Sequence, residues 1–263
     1  KTAIYSGLTF ISSLLFAHEF HMAVPDPYLI FTVTWGIVSF YRFEKESSKV
    51  HLWMAYIAIG FGLLAKGPIA AVIVLLSAAL YFTLTQRWSR LFAYKPFTGA
   101  FIALAIATPW YYMAHIATEG VFTEGFFLDH NLNRFSDQKE GHGGPFIITP
   151  LLVIVGLLPF GVWLISALIR AFQLRQRSNW LTLCFSVSIA VLTFFSFSST
   201  KLPNYPMPAF GFMTVVLGFY FSELVSNQNS KALKGGLWVL TILGVVLTVG
   251  AYFGLAAHQS LFL

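Results

Sequence analysis

Charge is scarce in this chain: Asp, Glu, Lys and Arg make up 10% of its 263 residues, where a soluble domain usually carries about a quarter. A globular core of this length could not bury a composition that is 57% hydrophobic with a mean hydropathy of +0.73, so lipid must serve as solvent for most of it. Cysteine is nearly absent. The lone Cys184 sits inside an apolar run, which excludes an intrachain disulfide. No glycine fingerprint for a dinucleotide and no polar stretch long enough for a nucleotide domain is present. The net charge of +6 is spread between apolar runs instead of clustered, which argues against nucleic acid as a partner and for topology signals.

What is abundant is apolar stretches of membrane-spanning character. Candidate spans run over about Thr2–Ala17, Pro27–Phe43, Leu52–Ala65, Ile69–Thr85, Phe97–Ile116, Phe146–Phe172, Trp180–Phe197, Met207–Val225 and Gly236–Ala257. The expected fold is therefore all-α: a polytopic transmembrane bundle of about nine spans, residues 1–263 forming a single transmembrane domain. The chain starts at Lys1 almost directly in a span, and the expectation is a piece of a longer protein that lacks an upstream span.

The connections alternate in charge. One set holds Lys1, Arg42, Lys45, Lys49, Arg87, Arg90, Lys95, Arg170, Arg175, Arg177, Lys231 and Lys234; the positive-inside bias assigns it to the cytoplasm. The other set holds Lys66, Arg134, Lys139 and Lys201, with Asp26 and most of the acids and histidines. Cations on the side that the bias does not explain call for another role. In a bacterium that face would be periplasmic and the membrane the inner one.

Four connections make up this second set. In the first, Asp26 before Pro27 reads as a helix start, with the carboxylate capping free N–H groups or orienting a sugar or a cation. The neighbouring His18, Glu19 and His21 make at most an incomplete metal set. The second, Lys66-Gly67-Pro68, reads either as a lysine at a helix end or as a phosphate site, where Lys66 and a helix N-terminus face one space. The third, residues 117–145, is the one large enough to build a site. Its aromatic and aliphatic residues suggest a helix lying on the membrane surface, with His130 and Arg134 on one face four residues apart and Asn131 between them. In the fourth, Ser198–Pro206, prolines and small hydroxylated residues keep the backbone out of helix. It presents Lys201, either an anchor or a second phosphate contact, and Tyr205, a candidate to stack on a sugar or an isoprenoid. If these loops converge, Lys66, Arg134 and Lys201 form a trivalent cationic cluster.

Several strings then occur in order: Gly62-Leu63-Leu64-Ala65-Lys66-Gly67-Pro68, Thr108-Pro109-Trp110-Tyr111, Phe126-Phe127-Leu128-Asp129-His130-Asn131-Leu132-Asn133-Arg134-Phe135, Leu157-Leu158-Pro159-Phe160 and Ser199-Thr200-Lys201-Leu202-Pro203-Asn204-Tyr205. In these the sequence resembles the bacterial polyprenyl-phosphate-dependent glycosyltransferases of the GT-C superfamily, in the group of the lipid A aminoarabinose transferase and the protein O-mannosyltransferases. The resemblance implies transfer of a sugar from a polyprenyl-phosphate donor to an acceptor hydroxyl or phosphate on lipid A, a protein or another glycan. It implies Lys66, Arg134 and Lys201 as phosphate-binding residues, Asp26 as a supporting acid, Asn131 and Tyr205 as sugar or lipid contacts, and His130 as ligand to a divalent metal (Zn, Mg or Mn). It implies no nucleotide cofactor. The family's principal catalytic acid lies in a first outer loop that has no match here, so the chain alone is expected to be incomplete for catalysis. The rival readings are a flippase or transporter of a lipid-linked substrate, which would carry its polar groups at mid-membrane, and a non-catalytic lipid-binding subunit.

Overall fold

The computed structural model describes residues 1–136, 143–228 and 230–257. Among them there is no strand; the chain is a bundle of helices. In order these are α1 (Thr2–Ile11), α2 (Leu14–Glu19), α3 (Asp26–Glu46), α4 (Lys49–Lys66), α5 (Ile69–Thr85), α6 (Pro96–Ala117), α7 (Val121–Glu124), α8 (Asn133–Ser136), α9 (Ile148–Gly156), α10 (Leu164–Gln173), α11 (Asn179–Phe197), α12 (Phe210–Ser226) and α13 (Ser230–Ala257). A π-helical stretch, Gly125–Leu132, joins α7 to α8.

Among the described residues, four helical segments are both long and apolar enough to cross a membrane: Pro96–Ala117, Asn179–Phe197, Met207–Ser226 and Lys231–Gly250. The expected all-α, polytopic architecture therefore holds, and every stretch expected to span contains helix. Two of them differ from expectation by being broken. The first, Thr2–Ala17, divides at Ser12 and Ser13, whose hydroxyls turn back to the carbonyls of Leu8 and Phe10 and compete with the helical ladder. The sixth, Phe146–Phe172, divides around Leu157–Pro159, because Pro159 has no N–H to continue the helix. The two breaks meet: the Leu14 N–H donates to the Leu158 carbonyl at 3.2 Å. Backbone groups freed in an apolar interior thus satisfy one another, which is the condition for tolerating such breaks at membrane depth. The short apolar run Leu52–Ala65 lies within a continuous helix of 18 residues, α4.

Helix ends fall where local chemistry puts them. Pro27 sits in the first turn of α3 and Pro96 in that of α6, where a missing N–H costs nothing. Between α4 and α5, Gly67 takes φ +75° and its N–H closes on the Leu63 carbonyl at 2.8 Å; a side chain there would be strained.

The core is built where α3 packs on α4, α5 on α11 and α1 on α12. Ile37, Leu52, Ile73, Tyr81, Leu181, Phe210, Met213 and Leu217 are fully buried. In lipid such contacts gain from close packing more than from water release, so small residues mark the crossings. At Gly218 of α12, an added Cβ would stand 2.2 Å from the Ser6 hydroxyl and 2.5 Å from its backbone nitrogen. The N-terminal turns of α13 dock through a hydrogen bond from Trp163 Nε1 to the Ala232 carbonyl, 3.0 Å.

The alternating polar connections segregate to the two ends of the bundle. At one end Glu44 accepts from Arg87, Arg90 and the Tyr94 hydroxyl, and Gln176 donates to the Leu84 carbonyl. Burial and the Glu44 hydrogen bond push the Tyr94 phenol upward from its ordinary pKa. At the other end lie Asp26, Lys66 and the connection between α11 and α12.

Candidate functional site

Asp26 and Lys66 occupy facing ends of two antiparallel helices. Asp26 begins α3, where the positive end of the helix dipole favours a carboxylate; Lys66 ends α4, where the negative end favours an ammonium. Lys66 Nζ lies 2.6 Å from Asp26 Oδ1. The carboxylate is buried, at 3% exposure, while a quarter of the lysine side chain reaches the surface. A buried charge of this kind persists because it is paired and hydrogen-bonded. Its second oxygen, Oδ2, accepts from Asn204 Nδ2 at 3.3 Å. Asp26 does not cap its own helix: no side-chain cap bond forms there, Pro25 holds the cap position, and both carboxylate oxygens point across to other elements. The capping role that the sequence allowed is therefore replaced by a tertiary one.

Tyr205 completes this group. The ammonium of Lys66 stands 5.5 Å from the centre of its ring, within the range of a cation–π contact. The ring also packs against Phe195 at 5.3 Å. The turn that carries Asn204 and Tyr205 is tied internally by Tyr205 N–H to Leu202 O and Met207 N–H to Asn204 O, each 3.2 Å.

Of the two readings open for Lys201, its place in the structure matches the anchor. It is 7% exposed, and its ammonium donates to the carbonyls of Ser196 and Ser198 at 2.5 Å and of Phe195 at 3.4 Å. These carbonyls lie at the end of α11, where the helical ladder runs out of donors; that of Phe195 also accepts from the Thr149 hydroxyl at 3.2 Å. Burial lowers its pKa from the ordinary lysine value. All three N–H directions are spent on the backbone, so Lys201 offers an incoming anion its field but no hydrogen bond.

The long connection folds over the same end. Phe122, Phe126 and Phe127 pack on Trp110 and Tyr111 of α6 with ring separations of 5.0 to 5.6 Å. The Tyr111 hydroxyl donates to the Leu63 carbonyl, 2.6 Å, three residues before Lys66. The Ser199 hydroxyl donates to the Ser136 carbonyl at 2.8 Å, which ties the end of α8 to the connection that carries Lys201. The backbone of His130, Asn131 and Arg134 runs along this helical stretch; their side chains, and residues 137–142 with Lys139, lie outside the described ones. Among the described residues no three His, Cys, Asp or Glu side chains gather to hold a metal ion. Both Asp26 oxygens are engaged by Lys66 and Asn204, so this carboxylate as placed does not fit a metal-ligand role.

Beside the ion pair runs an apolar groove of about 470 Å³, lined by Tyr28, Phe31, Thr32 and Trp35 of α3 and by Phe61, Leu64 and Ala65 of α4. Asn204 and the groove were missed in the sequence. Asn204 stands one residue from the recognised Tyr205 in an exposed proline-bounded turn, which was the available signal. The groove has none, because its residues are ordinary apolar span residues until two helices set them side by side.

The family described as dolichyl-phosphate-mannose-protein mannosyltransferase matches residues 1–119. The undecaprenyl phosphate-alpha-4-amino-4-deoxy-L-arabinose arabinosyl transferase of Pseudomonas aeruginosa (strain UCBPP-PA14) is 30% identical over 97% of this chain and 47% of its own length. The protein of the same name from Enterobacter sp. (strain 638) is 27% identical over 97% of this chain and 47% of its own. The crystal structure of ArnT from Cupriavidus metallidurans bound to undecaprenyl phosphate superposes with a TM-score of 0.78 over 98% of this chain and 46% of that one, at 20% identity. The chain spans about half the length of these relatives. The resemblance to polyprenyl-phosphate glycosyltransferases of GT-C type, drawn from the motifs, is borne out, and the structural likeness shows that the helical membrane fold is shared.

Proposed function

We propose that this chain forms the lipid-phosphate-holding part of a membrane glycosyltransferase that moves a sugar from a polyprenyl-phosphate donor to an acceptor on the periplasmic face of the bacterial inner membrane. The observation that carries the reading is the Asp26–Lys66 pair, set where three connections converge and next to an apolar groove. A donor of this class has the matching chemistry: a phosphate for Lys66 and an isoprenoid for a groove lined by Tyr28, Phe31, Trp35 and Phe61. The relatives' names make a 4-amino-4-deoxy-L-arabinose donor the first to test; lipid A is the first acceptor to test because the motifs resemble those of the lipid A aminoarabinose transferase group.

In the reaction the bond between the anomeric carbon and the phosphate oxygen breaks. The electron pair stays with the departing polyprenyl phosphate, which gains one negative charge. The acceptor oxygen bonds to the same carbon from the opposite face and gives its proton to a base. Lys66 lowers the barrier by opposing the charge that develops on the leaving phosphate, an effect strengthened where the local dielectric is low. Asp26 keeps the ammonium in place. Arg134, four residues after His130, supplies the second cation, and a divalent ion held in part by His130 belongs to the same reading. It is tested by whether EDTA lowers transfer and added Zn²⁺, Mg²⁺ or Mn²⁺ restores it in the wild type but not in His130→Ala.

The segregation of polar groups to the bundle ends, away from mid-membrane, favours transfer over transport. The deciding experiment is transfer from undecaprenyl-phosphate aminoarabinose to lipid A in membranes from a strain lacking this gene, with and without the full-length protein. Lipid A of unchanged mass in both refutes the acceptor; no consumption of donor refutes the enzyme.

A further inference from the structure

We propose that Asn204 is a positioning residue of the anion site: it holds Asp26 so that Lys66 keeps donors free for a phosphate. The inference rests on the reading of that site as a polyprenyl-phosphate site. A carboxylate held at one oxygen can swing about its last bond; held at both, its plane is fixed. Oδ1 takes Lys66 at 2.6 Å and Oδ2 takes Asn204 at 3.3 Å. The amide must present nitrogen here, because its oxygen would face a second acceptor. With Oδ2 occupied, the ammonium meets the carboxylate through one oxygen only, so two of its three N–H groups stay clear of the pair. Tyr205, the next residue, places its ring against the same ammonium. One turn, bounded by Pro203 and Pro206 and closed by its own backbone bonds, thus grips both partners of the ion pair. The ligand this suits is a compact anion with several acceptor oxygens, a phosphate monoester or diester.

The test uses the full-length protein in nanodiscs, with binding of undecaprenyl phosphate, undecaprenol and inorganic phosphate read by native mass spectrometry and competition. The variants are Asn204→Ala, Asp26→Asn and the double variant, with thermal stability followed in each. Asn204→Ala is expected to weaken undecaprenyl phosphate about fivefold, a fraction of the ~1.5–3 kcal/mol of a charged hydrogen bond. It is expected to leave undecaprenol unchanged. In the Asp26→Asn background the same substitution is expected to cost less than twofold, because its effect passes through the carboxylate. Asn204→Gln, which keeps an amide, serves where the alanine variant does not fold, and is expected to fall between wild type and Asp26→Asn. Equal losses in both backgrounds, or wild-type affinity in a folded Asn204→Ala, overturn the positioning role while leaving the phosphate site intact. A wild-type protein that binds undecaprenol as tightly as undecaprenyl phosphate overturns the phosphate site itself. Competition by inorganic phosphate alone at equal concentration would assign the site to free phosphate instead of a lipid head, and would remove the lipid from the proposal.

Discussion

Lys66 Nζ and Asp26 Oδ1 lie 2.6 Å apart although 40 residues separate them, and the pair closes the end of the α3–α4 hairpin at the site. Removing one partner strands the other. Asp26→Leu or Lys66→Leu alone is expected to destabilise the protein by about 3 kcal/mol, the lower end for a broken buried pair because Lys66 is partly exposed. The double Leu variant is expected to recover most of that loss but to bind undecaprenyl phosphate at least tenfold more weakly, about 1.4 kcal/mol. Thermal unfolding and donor binding on the three proteins check this; recovery of both stability and affinity would make the pair purely structural.

Tyr205 should contribute through its ring face. Tyr205→Leu removes the cation–π contact with Lys66, worth about 0.5–1 kcal/mol, and is expected to raise the donor KM two- to fivefold with kcat little changed. Tyr205→Phe keeps the ring and should stay within twofold of wild type. Steady-state transfer kinetics distinguish the two.

Lys201 should report mainly on stability. Lys201→Met takes this donor from the carbonyls of Ser196 and Ser198, while Phe195 keeps the Thr149 hydroxyl, and a loss of about 2–3 kcal/mol is expected. Transfer per folded molecule should stay within about threefold of wild type, a ratio under 1 kcal/mol. A tenfold loss in folded protein would instead assign Lys201 a direct phosphate contact.

At the opposite end, Glu44 holds Arg87, Arg90 and Tyr94 together. Glu44→Gln should lower stability by about 2 kcal/mol, a moderate value because both guanidinium groups reach the surface. It should leave the affinity for undecaprenyl phosphate unchanged, which a binding titration on the solubilised variant checks.

Gly218→Leu should separate α1 from α12, since even a Cβ meets the Ser6 backbone at 2.5 Å. Overpacking of this kind typically costs about 1–3 kcal/mol. A substantially lower unfolding temperature is expected, and Ser6→Gly in the same chain should recover part of it by removing the opposing hydroxyl.

Much of the architecture was legible because its causes are local. Apolar run lengths mark the helices, Pro27, Gly67 and Pro96 mark their ends, and the alternation of Lys and Arg separates the connections into two sets. What escaped was of two kinds. The break at Ser12–Ser13 and the break near Pro159 meet, since Leu14 finds its acceptor at Leu158; neither run shows this meeting alone. Lys201 looked equivalent to Lys66, both being cations in short polar motifs. The difference is that one turns outward to a carboxylate on another helix and the other turns inward to its own helix end.

The amino-acid order by itself determined that this is a helical membrane protein, where several of its helices begin and end, and which polar connections share an end of the bundle, because hydropathy and turn chemistry act over a few residues. The tertiary structure alone decided that Asp26 meets Lys66 and, across 178 residues, Asn204, and that Tyr28, Phe31, Trp35 and Phe61 line one groove. Those meetings depend on how far each helix is rotated and how deeply it sits against its neighbours, and rotation and depth are set by packing at small residues such as Gly218 and Gly62, not by any pattern along one segment.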